Sequence, residues 1–237
     1  MPPPEPPLQV IAMHGWAGDS GGWIGWPEAF EAEGWSWRSG ERGYGGAAPR
    51  LPAWGPQGRR VLIAHSLGPH LLPPDLLARA EAVVLLASFA RFVPEGPAGR
   101  RLRTALAGMA AVLEDAAADP RPMLRSFLAE AAAPQSAAAM PPGPADRPAE
   151  AIDRELLRRD LELLRQSTSL PAGFPTGVPV LLVEAAEDRI VVPEARRQLR
   201  RALPAAEVLR LEGTGHALLA TPVIRLCRDW LKRRCGP

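Results

Sequence analysis

Val61-Leu62-Ile63-Ala64-His65-Ser66-Leu67-Gly68-Pro69-His70 decides how this chain is read. The apolar run is too short for a buried helix and is rich in β-branched residues. It ends in small residues around one serine, after which helical spacing resumes. That order is strand, sharp turn, helix. Such a turn holds its central residue in a strained backbone conformation, so the flanking positions must be small. Ala64 and Gly68 meet that need, and Ser66, at the tip of the strand, is the candidate nucleophile. Pro69 falls early enough in the helix that its missing N–H breaks no helical hydrogen bond.

The stretch resembles the nucleophile elbow of the α/β-hydrolase family, usually Gly-x-Ser-x-Gly. Ala64 replaces the first glycine, and Pro69 stands where many members carry another. The resemblance implies an α/β class chain with the α/β-hydrolase fold: a mainly parallel sheet and a helical cap inserted after the strand that follows the elbow. Outward from the elbow the pattern agrees. Leu8 to Met13 reads as a buried strand running into His14-Gly15-Trp16, preceded by Met-Pro-Pro-Pro-Glu-Pro-Pro, a loose PPII-like tail. Most members begin with an extra antiparallel hairpin, for which there is no room here, so the expected sheet is shortened to about six strands. A helix over Gly21 to Glu33, a strand over Trp35 to Arg38 and a turn over Gly40 to Gly46 precede the elbow strand. The elbow helix is expected to reach about Ala80, followed by a strand over Ala82 to Ala87. From about Arg91 to Pro175 come Arg- and Ala-rich helical segments broken by prolines. The sheet then resumes with Val178 to Val183, a helix from about Pro193, a strand over Glu207 to Leu211 and a last helix over Thr221 to Arg234. The expected organisation is a core of residues 1–90 and 176–237 with a cap of residues 91–175.

A chain of 237 residues accommodates one such domain with its insertion. Hydrophobic residues make up 46% of it and the formal net charge is +2, which is globular and no nucleic-acid signature. The pI near 8.9 reflects a slight arginine excess, Lys232 being the one lysine. Cys227 and Cys235 lie in the last helical stretch without a metal-ligand partner at short spacing, and read as reduced thiols. The start has no cationic region or apolar core to serve as a secretory signal, and no later run is long and apolar enough to span a bilayer. A cytoplasmic monomer without a membrane or nucleic-acid partner is expected.

A serine hydroxyl needs a base within hydrogen-bond reach and a third group to orient that base. The histidines are His14, His65, His70 and His216. His216 lies in Gly213-Thr214-Gly215-His216-Ala217, the loop after the last strand, where the family resemblance places the catalytic histidine. His65 is expected to point away into packing and His70 to be a core or rim residue. For the acid, Glu184-Ala185-Ala186-Glu187-Asp188-Arg189-Ile190-Val191-Val192-Pro193 resembles the family's Gly-x-x-Asp-x-x-Val-Pro loop. Asp188 matches its aspartate, with Glu187 as a rival because one extra residue stands before Pro193. The order Ser66, Asp188, His216 is the order of that fold. Leu67 would supply one oxyanion-hole N–H as the residue after the nucleophile, and by resemblance Trp16, after His14-Gly15, supplies the other. No His-x-Glu, His-x-x-x-His or Cys-x-x-Cys spacing suggests a metal, and no cofactor is implied.

Within the superfamily the chain resembles the pimeloyl-[acyl-carrier protein] methyl ester esterases of biotin synthesis. The likeness rests on the His-Gly-Trp start, the Ser-Leu-Gly elbow, Ala87-Ser88 after the next strand, and Arg125-Ser126-Phe127-Leu128-Ala129 in the cap. It implies that Phe127 lines an acyl tunnel. Carrier proteins are acidic, so Arg121, Arg125, Arg154, Arg158 and Arg159 could steer an acyl-carrier-protein-bound ester to the site. Arg154 and Arg158, with Asp160 and Glu162, also read as ordinary surface pairing on a helix. A general esterase, a thioesterase, a lyase of the menaquinone-pathway type and a non-catalytic binding module are the alternatives.

Overall fold

The computed structural model describes residues 8–219 and 222–235. The proline-rich start and Thr221, at the expected beginning of the last helix, lie outside them. Six strands form one all-parallel sheet in the order β2-β1-β3-β4-β5-β6. They are β1 (Leu8–Met13), β2 (Ser36–Ser39), β3 (Arg59–His65), β4 (Ala82–Leu86), β5 (Val180–Ala185) and β6 (Glu207–Leu211). Helices alternate with them: α1 (Trp26–Glu31), α2 (Pro74–Leu77), α3 (Gly96–Glu114), α4 (Arg121–Ala132), α5 (Arg154–Gln166), α6 (Pro193–Ala202) and α7 (Val223–Cys235).

Side chains of a strand alternate between faces, so the continuous apolar runs at residues 10–13 of β1, 61–64 of β3, 82–86 of β4 and 180–183 of β5 bury both. Val10, Val61, Val84 and Val183 pack with Trp26 and Phe30 of α1 and Cys227, Trp230 and Leu231 of α7. Ile11, Leu62, Val83 and Leu182 pack with Leu76 and Leu77 of α2 and Leu199 of α6. A third core gathers Leu106 and Leu113 of α3, Leu124 of α4 and Leu157 and Leu161 of α5 over Trp16, Tyr44, Leu67 and Phe89. Between β4 and β5 the described residues form no extended sheet strand, and the isolated antiparallel bridge Arg91↔Thr168 draws the two ends of that segment together.

Two helices differ from the sequence expectation. The one expected from Gly21 to Glu33 is a 3-10 turn over Ser20–Trp23 followed by the short α1, because Gly25 between them adopts φ 78°, which no right-handed helix passes through. The elbow helix stops after a 3-10 turn, Gly68–Leu71, and restarts as the four-residue α2. Pro73 and Pro74 cause this, since neither has an N–H to donate and Pro74 forces the residue before it into extended geometry.

Candidate active site

Ser66 follows β3 with φ 54°. A non-glycine residue there costs roughly 1–3 kcal/mol and persists only where the surroundings fix it. The Ser66 N–H donates to the Leu86 carbonyl at 2.9 Å, and the Ser66 carbonyl accepts the Ser88 hydroxyl at 2.7 Å. A Cβ on Gly68 would run into the Met13 carbonyl, and one on Gly15 would stand 2.8 Å from the Ser66 Cβ. Small neighbours are thus a steric requirement of the turn. Among the described residues four non-glycines have positive φ: Ala17, Ser66, Ala87 and Leu218. All lie beyond the C-terminal ends of strands, and three of them line one cavity.

The loop after β6 brings His216 to the same cavity. Its Nδ1 donates to Asp188 Oδ2 at 2.9 Å, while Asp188 Oδ1 accepts the Ile190 and Val191 N–H groups at 2.8 Å each. With its proton on Nδ1, the imidazole keeps a lone pair on Nε2. Burial opposes ionisation of Asp188, but the His216 ring and the two amides outweigh it and hold the carboxyl below the usual range. The rival acid, Glu187, does not meet the imidazole. Its Oε2 accepts the Thr214 N–H at 2.7 Å and its own N–H donates to the Thr214 carbonyl at 3.0 Å, bracing one loop on the other.

His65 departs from expectation. Rather than pointing away, it lines the cavity, its ring 4.9 Å from that of His216 and its Nε2–H donating to the His216 carbonyl at 3.0 Å. Burial, with the neighbouring His216 ring, pushes its pKa down to about 4, so it is a neutral donor at ordinary pH. His70 is half-buried and stacks on Phe89 at 5.1 Å. Among the described residues the Leu67 and Trp16 backbone N–H groups donate to no protein acceptor. The Trp16 indole N–H donates to the Leu157 carbonyl of α5 at 2.8 Å, and its ring meets Phe127 edge-on at 5.0 Å.

Two cavities join at Ser66, Trp16 and Phe127, which line both. The smaller, about 180 Å³, holds His216, His65 and Asp19; burial and nearby Glu41 raise the Asp19 pKa. The larger, about 410 Å³, is walled by Phe92, Leu102, Leu106, Met109, Met123, Leu161 and Leu164. Its charged lining residues, Arg189 and Glu130, pair at 3.4 Å and are both 57% exposed.

The arginines of the expected cap segment separate into kinds. Arg121 pairs with Asp119 and Arg158 with Glu155, both at 2.7 Å, and Arg125 is exposed. Arg154 is no surface contact residue: its guanidinium donates to the carbonyls of Val112, Leu113, Asp115 and Ala118, closing the C-terminal end of α3. Asp160 is not surface pairing either. It is 2% exposed and accepts Arg42 Nη2 and the Tyr44 hydroxyl at 2.7 Å each, with Arg42 Nε at 2.5 Å. Neither contact is readable in spacing, and nothing flags Tyr44 beyond its being the one tyrosine. Among the described residues no His, Cys, Asp and Glu cluster could hold a metal, and no helix is long and apolar enough to cross a membrane.

No protein-family model matches the sequence, and no curated protein does. Solved structures do match. An esterase from Exiguobacterium antarcticum superposes with a TM-score of 0.67 at 14% identity, over 96% of this chain and 92% of that one. A bromoperoxidase from Bacillus anthracis gives 0.63 at 16% identity over 96% and 91%, and MenH from S. aureus gives 0.59 at 12% over 96% and 94%. The chain has the α/β-hydrolase fold.

Proposed function

We propose that this protein is a serine hydrolase of carboxylic esters, with Ser66 as nucleophile, His216 as general base and Asp188 as its orienter. The observation that carries the reading is the buried Asp188–His216 hydrogen bond, which leaves a basic Nε2 on the cavity that Ser66 enters from a strained turn. In this mechanism Nε2 takes the Ser66 proton as Oγ attacks the ester carbonyl, and the oxyanion develops toward the Leu67 and Trp16 N–H groups. The imidazolium returns its proton to the departing alkoxide, leaving an acyl-enzyme that water hydrolyses through the same base. His216 lines the smaller cavity and not the larger. The alcohol therefore leaves on the smaller side, and the acyl chain lies in the apolar space under α3, α4 and α5, with residues 91–175 as cap.

The finer reading is the methyl ester of a pimeloyl chain borne on an acidic acyl-carrier protein, in the cytoplasm. It is supported by the sequence likeness, by a chain-sized apolar cavity and by the exposed Arg125 and Arg159, the latter 64% exposed. Arg154 drops out of that surface.

Fluorophosphonate labelling and p-nitrophenyl hexanoate hydrolysis by wild type, both abolished in Ser66→Ala, are the expected results. Wild-type protein that neither labels nor turns over any ester would favour a non-catalytic module. For the finer reading, wild type and not Ser66→Ala should restore growth of a biotin auxotroph lacking its methyl esterase, and failure of the soluble wild type to do so sinks it.

A further inference from the structure

Hydrogen bonds form a closed circuit between the cap helix α5 and the turn that carries Trp16. Asp160 accepts the Arg42 guanidinium through both oxygens and the Tyr44 hydroxyl as well. The backbone N–H of the same Arg42 donates to His14 Nε2 at 3.1 Å. That fixes the His14 proton on Nδ1, which donates to the Gly15 carbonyl at 2.9 Å. One residue on, the Trp16 indole N–H returns to α5 at the Leu157 carbonyl, 2.8 Å away. Leu157 and Asp160 are three positions apart, on one side of the helix. Glu41 adds a brace, accepting the Ser20 and Gly43 N–H groups at 2.8 Å each.

Every link is buried or half-buried and has its donor and acceptor matched, the condition under which polar networks fix one geometry. Burial keeps His14 neutral and the Tyr44 hydroxyl protonated, as the circuit needs. Asp160 lines neither of these two cavities, whereas Trp16 lines both at Ser66.

We propose that Asp160 is a positioning residue for the Trp16 amide: by clamping α5 to Arg42 and Tyr44 it fixes the His14–Ala17 turn and, through it, one donor of the oxyanion hole. The inference rests on the serine-hydrolase reading for its chemical consequence but not for the mechanical link. A misplaced donor weakens the transition state and spares ground-state binding, so the effect belongs in kcat.

The test compares wild type, Asp160→Asn and Trp16→Phe, the last removing the indole N–H while keeping an aromatic ring should Asp160→Asn fail to fold. With p-nitrophenyl hexanoate, kcat should fall at least about tenfold, toward the ~10²–10³ of a lost oxyanion donor, with KM within twofold in Asp160→Asn, whose side chain lines neither cavity. The inhibition constant of a hexanoyl-chain trifluoromethyl ketone, which mimics the tetrahedral adduct, should weaken in proportion. A kcat within twofold of wild type, or a fall that leaves the ketone's affinity unmoved, overturns the proposal. Hydrogen exchange supplies the second readout: amides of residues 15–18 should exchange at least tenfold faster in both variants while β3 is unchanged, and unchanged exchange overturns the clamp. Failure of the hydrolase reading shows separately, as wild type without turnover or fluorophosphonate labelling, and exchange then still decides the clamp.

Discussion

Replacing Asp188 by asparagine should keep the fold and remove most of the activity, for a reason of orientation. Asp188 Oδ1 faces two N–H donors, from Ile190 and Val191, while Oδ2 faces the single N–H of His216. An asparagine has to put its NH₂ at one of these places. Set against the two amides, it would leave two buried donors unsatisfied, at about 1–3 kcal/mol each. The NH₂ therefore turns toward His216, which must then accept on Nδ1 and carry its proton on Nε2. In that tautomer the base has no lone pair for the Ser66 proton. Reaching the productive tautomer means opposing N–H groups across a gap that is 2.9 Å in the wild type. Taking about 4–6 kcal/mol for the rearrangement, and 1.36 kcal/mol per tenfold in rate, kcat/KM for p-nitrophenyl hexanoate should fall about 10³–10⁴-fold at pH 7.5. Stability should fall by only about 1–2 kcal/mol, since a charge-assisted bond becomes a neutral one. A loss under about thirtyfold in folded protein refutes the reasoning. So does a larger loss in Glu187→Gln, which disturbs only the brace to Thr214.

Two further perturbations test the surroundings. Gly15→Ala brings a methyl to 2.8 Å from the Ser66 Cβ, so something must move; kcat/KM should drop at least about tenfold for roughly 1–3 kcal/mol of stability, and wild-type rates in folded Gly15→Ala would show that the nucleophile turn tolerates displacement. Acid stability should report His65, whose pKa near 4 in the native protein lies below the ordinary 6.5 of the unfolded chain. Between these values the unfolded chain binds the proton and the native one does not, so stability is full above pH 6.5 and declines toward pH 4, by about 3 kcal/mol from this residue. Urea unfolding at pH 7 and pH 4.5 should show a smaller difference in His65→Gln than in wild type, and an equal difference counts against the buried neutral imidazole.

How much the sequence disclosed follows from the range of the interactions. Strand positions follow from local runs of strand-forming residues and loop chemistry from residues adjacent in the chain, so all six strands, the turn at Ser66 and the loops of Asp188 and His216 are legible. The roles of His65, Arg154 and Asp160 are not. His65 meets a carbonyl 151 positions away, and Asp160 meets Arg42 118 positions away. Helical spacing cannot show that an arginine next to acids on its own helix turns instead to the carbonyls ending another, as Arg154 does on α3. The elbow helix failed in the opposite way. Pro73 and Pro74 stood in plain view, and two adjacent residues without N–H groups were reason enough to end it.

A parallel sheet delivers all its strand C-termini to one edge, which is why the turn after β1, Ser66 after β3, Asp188 after β5 and His216 after β6 converge without help from the helices between β4 and β5. The segment between β4 and β5 supplies walls for the larger cavity through α3, α4 and α5. The proposed triad and the walls of the larger cavity thus sit on different parts of the chain, and these parts touch where Trp16 meets Leu157 and Arg42 meets Asp160. Leu161, which lines the larger cavity, is the residue after Asp160 on the same helix. If the proposed acyl chain occupies this cavity, one that fills the space beneath α5 would press on the helix that holds the Trp16 turn, and one too short would leave that helix unsupported. On the proposed hydrolase reading, chain-length preference should accordingly be expressed in kcat as well as in KM, since remote binding energy is then used to hold a donor where charge develops.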